Sequence, residues 1–479
     1  MPEESSAASS GGGAPSLSSW LASLAAAHDV RCAAVEFRDT PTRGRALFAS
    51  RAVAKGEVVL SVPRALTLCV QDGAGLALPS DGSWPRTRAG VAANAPAEAK
   101  TWEFVLARAL LDAIAGDGGR FWSHYGGLMP PPESLAHPFL LPPARLRELM
   151  DAQLERSASS ERERIAALMP DLLDPVGEDD ENDDDDDASG GSGSSSRVPA
   201  GAWALALVRS RAMLAGKVKG GGDAHVIVPF LDLANHDPRP NVDYRCEGVE
   251  TPERFGLGAQ LRENADRFEL VALRDVDAGE ELRLSYAGGK LSSREHFEQF
   301  GFAPAGGAAS DRLDLGLGVV TGEDAPSAIE GKTAAEARKR LAAATRAALE
   351  GDVVALGDAA ESASEAPRTI AAGAFLRGLL DGGAGAEAMS AAEEAMTLRA
   401  IRTRVGDLEA AYAAAGATLE EDAERLDALR EDAEAGGGGP AAAARREREA
   451  NALGYAIGKK RLVRRVAGLL SEIEGLATA

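Results

Sequence analysis

Two separated stretches of this chain hold the side chains best suited to chemistry. Ile227-Val228-Pro229-Phe230-Leu231-Asp232-Leu233-Ala234-Asn235-His236 is an apolar run that ends in a polar pair. Glu281-Leu282-Arg283-Leu284-Ser285-Tyr286 is a second run, ending in a tyrosine. An Asn amide offers donors and an acceptor, and a neutral His ring offers one of each. Such a pair can clamp an adenine edge or the amino-acid end of a ligand, or it can be a satisfied loop pair. Leu282, Leu284 and Tyr286 alternate onto one strand face, so the phenol reads as a core aromatic or as a hydroxyl at a channel mouth. Gly288 and Gly289 allow a turn close to a ligand. Phe300-Gly301-Phe302 adds an aromatic pair around a glycine. Arg211 ends Arg209-Ser210-Arg211 on a predicted helix; it can hold a carboxylate or fix a pocket wall, or belong to a solvated face.

Other chemistries lack their residues. The three cysteines, Cys32, Cys69 and Cys246, form no C-x-x-C pair, which points away from a zinc cluster or a disulfide framework and towards a reducing compartment. No histidines are spaced as a zinc protease needs, and no complete Gly-x-x-x-x-Gly-Lys-Thr phosphate loop occurs, since Pro326 stands five positions before Gly331. Gly316-Leu317-Gly318 starts a dinucleotide fingerprint, but Thr321 stands where the third glycine belongs. The formal charge is −22, with nine acids in Glu178–Asp187, which is no footprint for nucleic acid. No apolar run reaches the ~18 residues of a membrane helix. The N-terminus has no basic residue before Arg31, so neither a secretory signal nor a transit peptide is expected; cytosol or nucleus is the expectation, with a plastid left open.

These groups must be positioned by the elements around them. A helix is predicted over 17–27, with Leu17, Trp20, Leu21 and Leu24 on one face. Strands at Arg45–Ser50 and Glu57–Val62 are expected to form a hairpin-like unit around Lys55-Gly56. Helical patterns follow at Thr101–Ala115 and, as one or two helices, at Pro143–Met169; the acidic, Gly/Ser-rich stretch 178–197 reads as a flexible loop. A helix over Trp203–Leu214 precedes strands at Val226–Leu231, Phe268–Arg274 and Glu281–Ser285. Short strands outnumber helices here, which argues for an irregular β fold and against a doubly wound sheet. From about Gly306 the composition turns to Ala, Glu and Arg, with helical patterns at 332–349, 366–380, 386–403, 405–431 and 441–476.

Taken in order, Arg45–Ser50, Glu57–Val62, the helix over 204–213, Pro229–His236, Gly279–Tyr286 and Phe300-Gly301-Phe302 resemble the SET-domain methyltransferases. Within them the chain resembles the branch of plant Rubisco large-subunit methyltransferase. The match covers roughly 35–304 and the layout of the C-terminal third. The resemblance implies an α+β architecture: a SET-domain β fold of small sheets with a pseudoknot, carrying a helical insertion, then an all-α C-terminal domain. The implied divisions are an N-terminal segment 1–28, a SET domain 29–304 with its insertion at about 64–200, and a helical substrate-binding domain 305–479.

The resemblance also implies S-adenosyl-L-methionine as methyl donor and a protein lysine as acceptor, docked in part by the C-terminal helices on a monomeric enzyme with no metal. By motif position, Arg43, Gly44 and Arg45 meet the donor's methionine end. Asn235 and His236 hold its adenine and amino-acid parts, Phe302 packs on the adenine, and Tyr286 is catalytic and donor-binding. Arg211 lies beside donor and substrate, with Asp232, Tyr244 and Phe300 on the substrate side. Two positions depart from the family pattern: Gly44-Arg45-Ala46 where Gly-x-Gly is usual, and Phe300-Gly301-Phe302 where Tyr-Gly-Phe is common. A histidine methyltransferase of the same fold and a catalytically inactive binding protein are the competing readings.

Overall fold

The computed structural model describes residues 17–40, 44–71, 102–173, 175–176, 198–217, 223–246, 266–308, 311, 402–403, 405–412, 414, 417–435 and 439–478. Arg43, the acidic loop 178–197, and the helices expected at 332–349, 366–380 and most of 386–403 lie outside the described residues.

α1 (Leu17–Ala27) leads into β1 (Val35–Thr40), β2 (Gly44–Ala49), β3 (Val58–Pro63) and β4 (Leu68–Gln71). The helices α2 (Trp102–Asp112), α3 (Gly119–Gly126), α4 (Pro143–Glu148) and α5 (Ala152–Leu168) follow. A two-residue pair, β5 (Pro175–Val176) with β6 (Val198–Pro199), precedes α6 (Ala200–Arg211). Short strands come next: β7 (Met213–Lys217), β8 (Asp223–Ile227), β9 (Asn235–His236), β10 (Val242–Cys246), β11 (Arg267–Ala272) and β12 (Arg283–Leu284). α7 (Ser293–Phe300), α8 (Leu419–Glu434) and α9 (Pro440–Thr478) complete the described chain. The described chain thus combines small sheets, helices inserted between β4 and β7, and a C-terminal helical region. No described helix is long and apolar enough to cross a membrane.

The chain forms two compact units, Met1–Met129 with Arg211–Gly288, and Pro130–Ser210 with Gly289–Ala479. The first holds four small sheets: β1-β2, β10-β11-β3, β4-β8-β7 and β9-β12. Leu47, Leu60, Leu270, Phe230 and Leu282 are fully buried in it.

The expected hairpin of Arg45–Ser50 with Glu57–Val62 does not form. β2 pairs with β1, from Val35↔Ala49 to Thr40↔Gly44, and β3 pairs with β11. Alternation marks a strand but not its partner. The partner is set by the connections. Thr40 Oγ1 donates to Gly44 O at 2.8 Å across the β1–β2 turn, and Gly44 has the left-handed φ of 63° that turn requires. Between β2 and β3, Val53 exchanges two backbone hydrogen bonds with Val276, drawing the connection onto a distant segment. The outer edge of β2 is used as well: Leu282 N–H donates to Leu47 O at 2.7 Å and Ala49 N–H to Glu280 O at 2.8 Å.

Two further boundaries differ from expectation. The helix predicted to Leu214 stops at Arg211, and Met213 and Leu214 open β7 against β8; their apolar side chains suit either state. The strand predicted to Leu231 stops at Ile227, because the chain turns at Phe230, a buried non-glycine residue with φ 67°. The Pro143–Met169 pattern resolves into two helices, parted by Met150 at φ 51° and by Asp151.

In the second unit, Leu141, Leu146, Leu149, Leu154, Phe297 and Tyr455 form a buried cluster, with the Phe297 and Tyr455 rings stacked at 4.6 Å. Asp151 ties it together. One carboxylate oxygen caps α5 through Gln153 N–H and Leu154 N–H at 3.1 and 3.0 Å. The other accepts from Tyr455 Oη at 2.6 Å and Lys459 Nζ at 2.7 Å. Burial would raise this carboxyl, but the Lys459 charge and the hydrogen bonds from Lys459, Tyr455 and Leu154 win and hold it at about 2. A carboxyl held below its unfolded value stabilises the fold above that value, and the contribution is lost as pH falls through the folded one. Asp151→Asn should therefore cost about 2–3 kcal/mol, since it removes the charge that the partly buried Lys459 faces. Wild type should lose the same stability between about pH 4 and pH 2. Denaturant melts against pH check both; a variant as stable as wild type at pH 7 would contradict the assignment.

Candidate active site

β9 and β12 pair in parallel, Asn235 opposite Arg283 and His236 opposite Leu284, and this brings the two chemistry-bearing stretches side by side. Asn241, almost fully buried, holds β12 as a neighbouring strand would. Its backbone N–H donates to Arg283 O at 3.1 Å, its Oδ1 accepts from Arg283 N–H at 2.7 Å, and its Nδ2 donates to Glu281 O at 2.8 Å and to Glu280 Oε1 at 3.0 Å. Asn235 Nδ2 donates to Glu281 Oε1 at 2.9 Å, and Asp237 N–H to Leu284 O at 2.8 Å.

Tyr286 follows directly. Its N–H donates to His236 Nδ1 at 3.0 Å, its hydroxyl donates to Ala234 O at 2.8 Å, and the two rings lie 5.2 Å apart. With Nδ1 accepting, a neutral His236 carries its proton on Nε2. Ala287, Gly288 and Gly289 then adopt left-handed φ values of 49°, 62° and 67°. The two glycines suit the turn; Ala287 is held there at a cost of order 1 kcal/mol or more.

A second group meets it. Arg211 Nη1 donates to Asp232 Oδ2 at 2.9 Å and to Asp232 O at 3.2 Å. The Asp232 side chain is wholly buried, and its other oxygen accepts from Tyr125 Oη at 2.5 Å. Burial pushes the Tyr286 phenol well above its usual value; Arg211 pulls it down, while Asp232 and Glu281 push it up. Tyr286 is thus a neutral phenol that donates a hydrogen bond to Ala234 O and whose oxygen has the chemistry to accept one as well.

The remaining expected residues fall as follows. Gly44 and Arg45 begin β2; Arg45 Nη1 donates to Leu128 O, and its Nε lies 3.7 Å from Asp39. Ala46 is a buried strand residue opposite Arg38 and is not among the left-handed residues, so its methyl group fits where the family usually has glycine. Tyr244 lies in β10, its hydroxyl donating to Leu214 O at 3.0 Å. Phe300 and Phe302 lie in the second unit, 6.1 Å apart, each packed on His296. Gly301 ends α7 at φ 76°, and a Cβ there would sit 2.9 Å from His137 Nδ1. His137 is fully buried and its Nε2 meets Gln299 O at 3.2 Å; burial, with the nearby Arg209 charge, lowers its pKa to about 3. Sequence reasoning missed Tyr125, His137, Asn241 and Glu281. Tyr125 lay in an aromatic cluster that reads as core, and single Asn and Glu residues carry no spacing signal.

Arg211 Nε and Arg45 Nε are among several buried donors with no hydrogen-bond acceptor among the described residues, although Arg45 Nε faces the Asp39 carboxylate at 3.7 Å. A buried donor left unpaired costs about 1–3 kcal/mol, so both suit a ligand that brings acceptors such as a carboxylate. Among the described residues no group of His, Cys, Asp and Glu is arranged to hold a metal.

A family model described as the SET domain matches residues 44–287. Two solved structures are similar in fold. The crystal structure of the SET domain of LSMT bound to lysine and AdoHcy is 18% identical, with a TM-score of 0.50, covering 96% of this chain and 92% of that one. The structure of Rubisco LSMT bound to sinefungin and monomethyllysine is 17% identical, with a TM-score of 0.50, covering 95% and 92%. No curated protein sequence matches the chain.

Asn241→Ala removes three side-chain hydrogen bonds and should cost about 2–4 kcal/mol at ~1 kcal/mol each. It should also weaken binding of S-adenosylhomocysteine, because the clamp on the Tyr286 segment loosens. Calorimetry and denaturant melts read both effects; full stability together with full affinity would refute the clamp.

Proposed function

The chain belongs to the SET-domain family, and from that premise we propose that it is an S-adenosylmethionine-dependent methyltransferase acting on the side-chain amine of lysine in a protein. The observation that carries this reading is the Tyr286 phenol, fixed by the Ala234 carbonyl and by His236, in the same unit as the Arg211–Asp232 pair. The ligands of the two similar structures, lysine with AdoHcy and monomethyllysine with sinefungin, favour the same chemistry.

When bound, S-adenosylmethionine supplies a methyl group on a positively charged sulfur. Arg211 Nε and Arg45 Nε are the donors suited to its carboxylate; Asn235 and His236 are assigned to its adenine and amino-acid parts. Asp232 balances the Arg211 charge, so the site does not set an uncompensated cation against a cationic ligand. A lysine amine, with a reference pKa of ~10.4, must lose its proton to expose a lone pair, and a dry site lowers that pKa. Tyr286 remains protonated on Oη and so serves as a positioning group, not as a base. The C-terminal helices are assigned to docking of the protein substrate.

Tyr286→Phe should lower methyl transfer by ~10²-fold or more while leaving S-adenosylhomocysteine affinity within a few-fold. Transfer of labelled methyl, with mass spectrometry of the modified residue, measures the first, and calorimetry the second. Undiminished transfer would remove Tyr286 from the mechanism; label on histidine alone would overturn the lysine assignment. Because the phenol stays neutral, the wild-type rate should rise with pH through neutrality without a fall from tyrosine ionisation up to about pH 10.

A further inference from the structure

Tyr125 stands in α3, and nothing in the reading above uses it. It is about 1% exposed, enclosed by Phe121, Trp122 and Phe230 with ring centroids 5.5, 5.8 and 5.4 Å away. Aromatic packing accounts for its ring but not for its hydroxyl. That oxygen accepts from Phe230 N–H at 2.7 Å and donates to Asp232 Oδ1 at 2.5 Å. Both partners are buried, so no water can readily replace the hydroxyl. Phe230 is the residue held at φ 67°, and Asp232 lies two residues beyond it.

The carboxylate has two oxygens and two tasks. Oδ1 is taken by Tyr125, which leaves Oδ2 facing Arg211 Nη1 at 2.9 Å. Arg211 holds the Asp232 backbone carbonyl as well, so the carboxylate's rotation and the turn at Phe230 together set where the guanidinium lies. Its Nε, a buried donor without an acceptor among the described residues, is aimed by that grip. A phenylalanine at 125 would keep the packing and release the carboxylate to rotate.

We propose that Tyr125 is a positioning residue for methyl transfer: its hydroxyl orients the Asp232 carboxylate and, through it, the Arg211 guanidinium. The inference rests on the methyl-transfer reading above. It adds a residue of the helical insertion to the machinery, acting at one remove from the reacting atoms.

The test compares wild type, Tyr125→Phe, Asp232→Asn and the double variant. Rates are measured with S-adenosylmethionine and, as acceptors, free L-lysine and a lysine-rich peptide pool. The Arg211 Nε–H resonance is followed in arginine-labelled protein, with and without S-adenosylhomocysteine. Tyr125→Phe should lower kcat by ~10- to 100-fold with the donor KM within about threefold. The Arg211 resonance should shift and exchange faster. The double variant should be no slower than Asp232→Asn, because two links of one chain do not add. A kcat within about twofold of wild type, losses that multiply in the double variant, or an unmoved Arg211 resonance would each overturn the proposal. Incorporation of 3-fluorotyrosine at 125, which keeps the ring and hydroxyl but makes the phenol a stronger donor to Asp232, guards against misfolding of the phenylalanine variant: the Arg211 resonance should shift in response to the strengthened bond, and an unmoved resonance counts against the link. Wild-type protein inert towards both acceptors, with an Arg211 signal that responds to Tyr125→Phe, would overturn the methyl-transfer reading and uphold the coupling.

Discussion

Two residue pairs, Asn235 with Arg283 and Leu284 with His236, hold the chemistry-bearing stretches together. Parallel pairing is slightly less stable per residue than antiparallel pairing, and a ladder this short cannot sustain itself. Its surroundings sustain it. Asn241 meets the far side of β12 with backbone and amide together, Asp237 N–H takes the carbonyl of Leu284, and His236 takes the N–H of Tyr286. Beyond them, β2 receives Leu282 through Leu47. His236, Asp237 and Asn241 lie close together in sequence, and Leu47 comes from a distant part of the chain. No single local segment contains the whole site.

The same electrostatic device appears once in each unit. Asp232 is shared by the Tyr125 hydroxyl and Arg211, and Asp151 by the Tyr455 hydroxyl and Lys459. In both, a phenol supplies a short hydrogen bond without charge and the cation supplies the charge, so a buried carboxylate is satisfied without a second cation. The outcome differs with context. Asp151 caps a helix and joins it to α9, which is a structural task. Asp232 holds an arginine whose Nε has no hydrogen-bond acceptor among the described residues.

Much of the layout was legible because it rests on periodicity. The helix over 17–27 and the helix at Trp102–Asp112 follow their apolar spacing; the short α7 behind its Ser292 cap was not anticipated. The motif ends Asn235-His236 and Tyr286 were legible as polar groups that apolar runs deliver for no core purpose, and the structure places them together. Partner choice was not legible: β1 escaped notice, and β2 was assigned to β3, since alternation is the same whichever neighbour a strand takes. Tyr125 was invisible for a related reason. Its ring is ordinary core, and only the coordinates reveal that its oxygen faces a carboxylate more than a hundred positions away in sequence.

Gly301 illustrates how closely local conformation and distant packing are joined. Its backbone takes a left-handed turn that favours glycine, and the space its missing side chain would fill belongs to the imidazole of His137. A residue such as asparagine, tolerable for the turn alone, would still strike that ring. The two positions should therefore drift only in concert: a larger residue at 301 becomes admissible only where 137 has shrunk. The gap between the two aromatic rings at 300 and 302 would then inherit whatever compromise the pair reached.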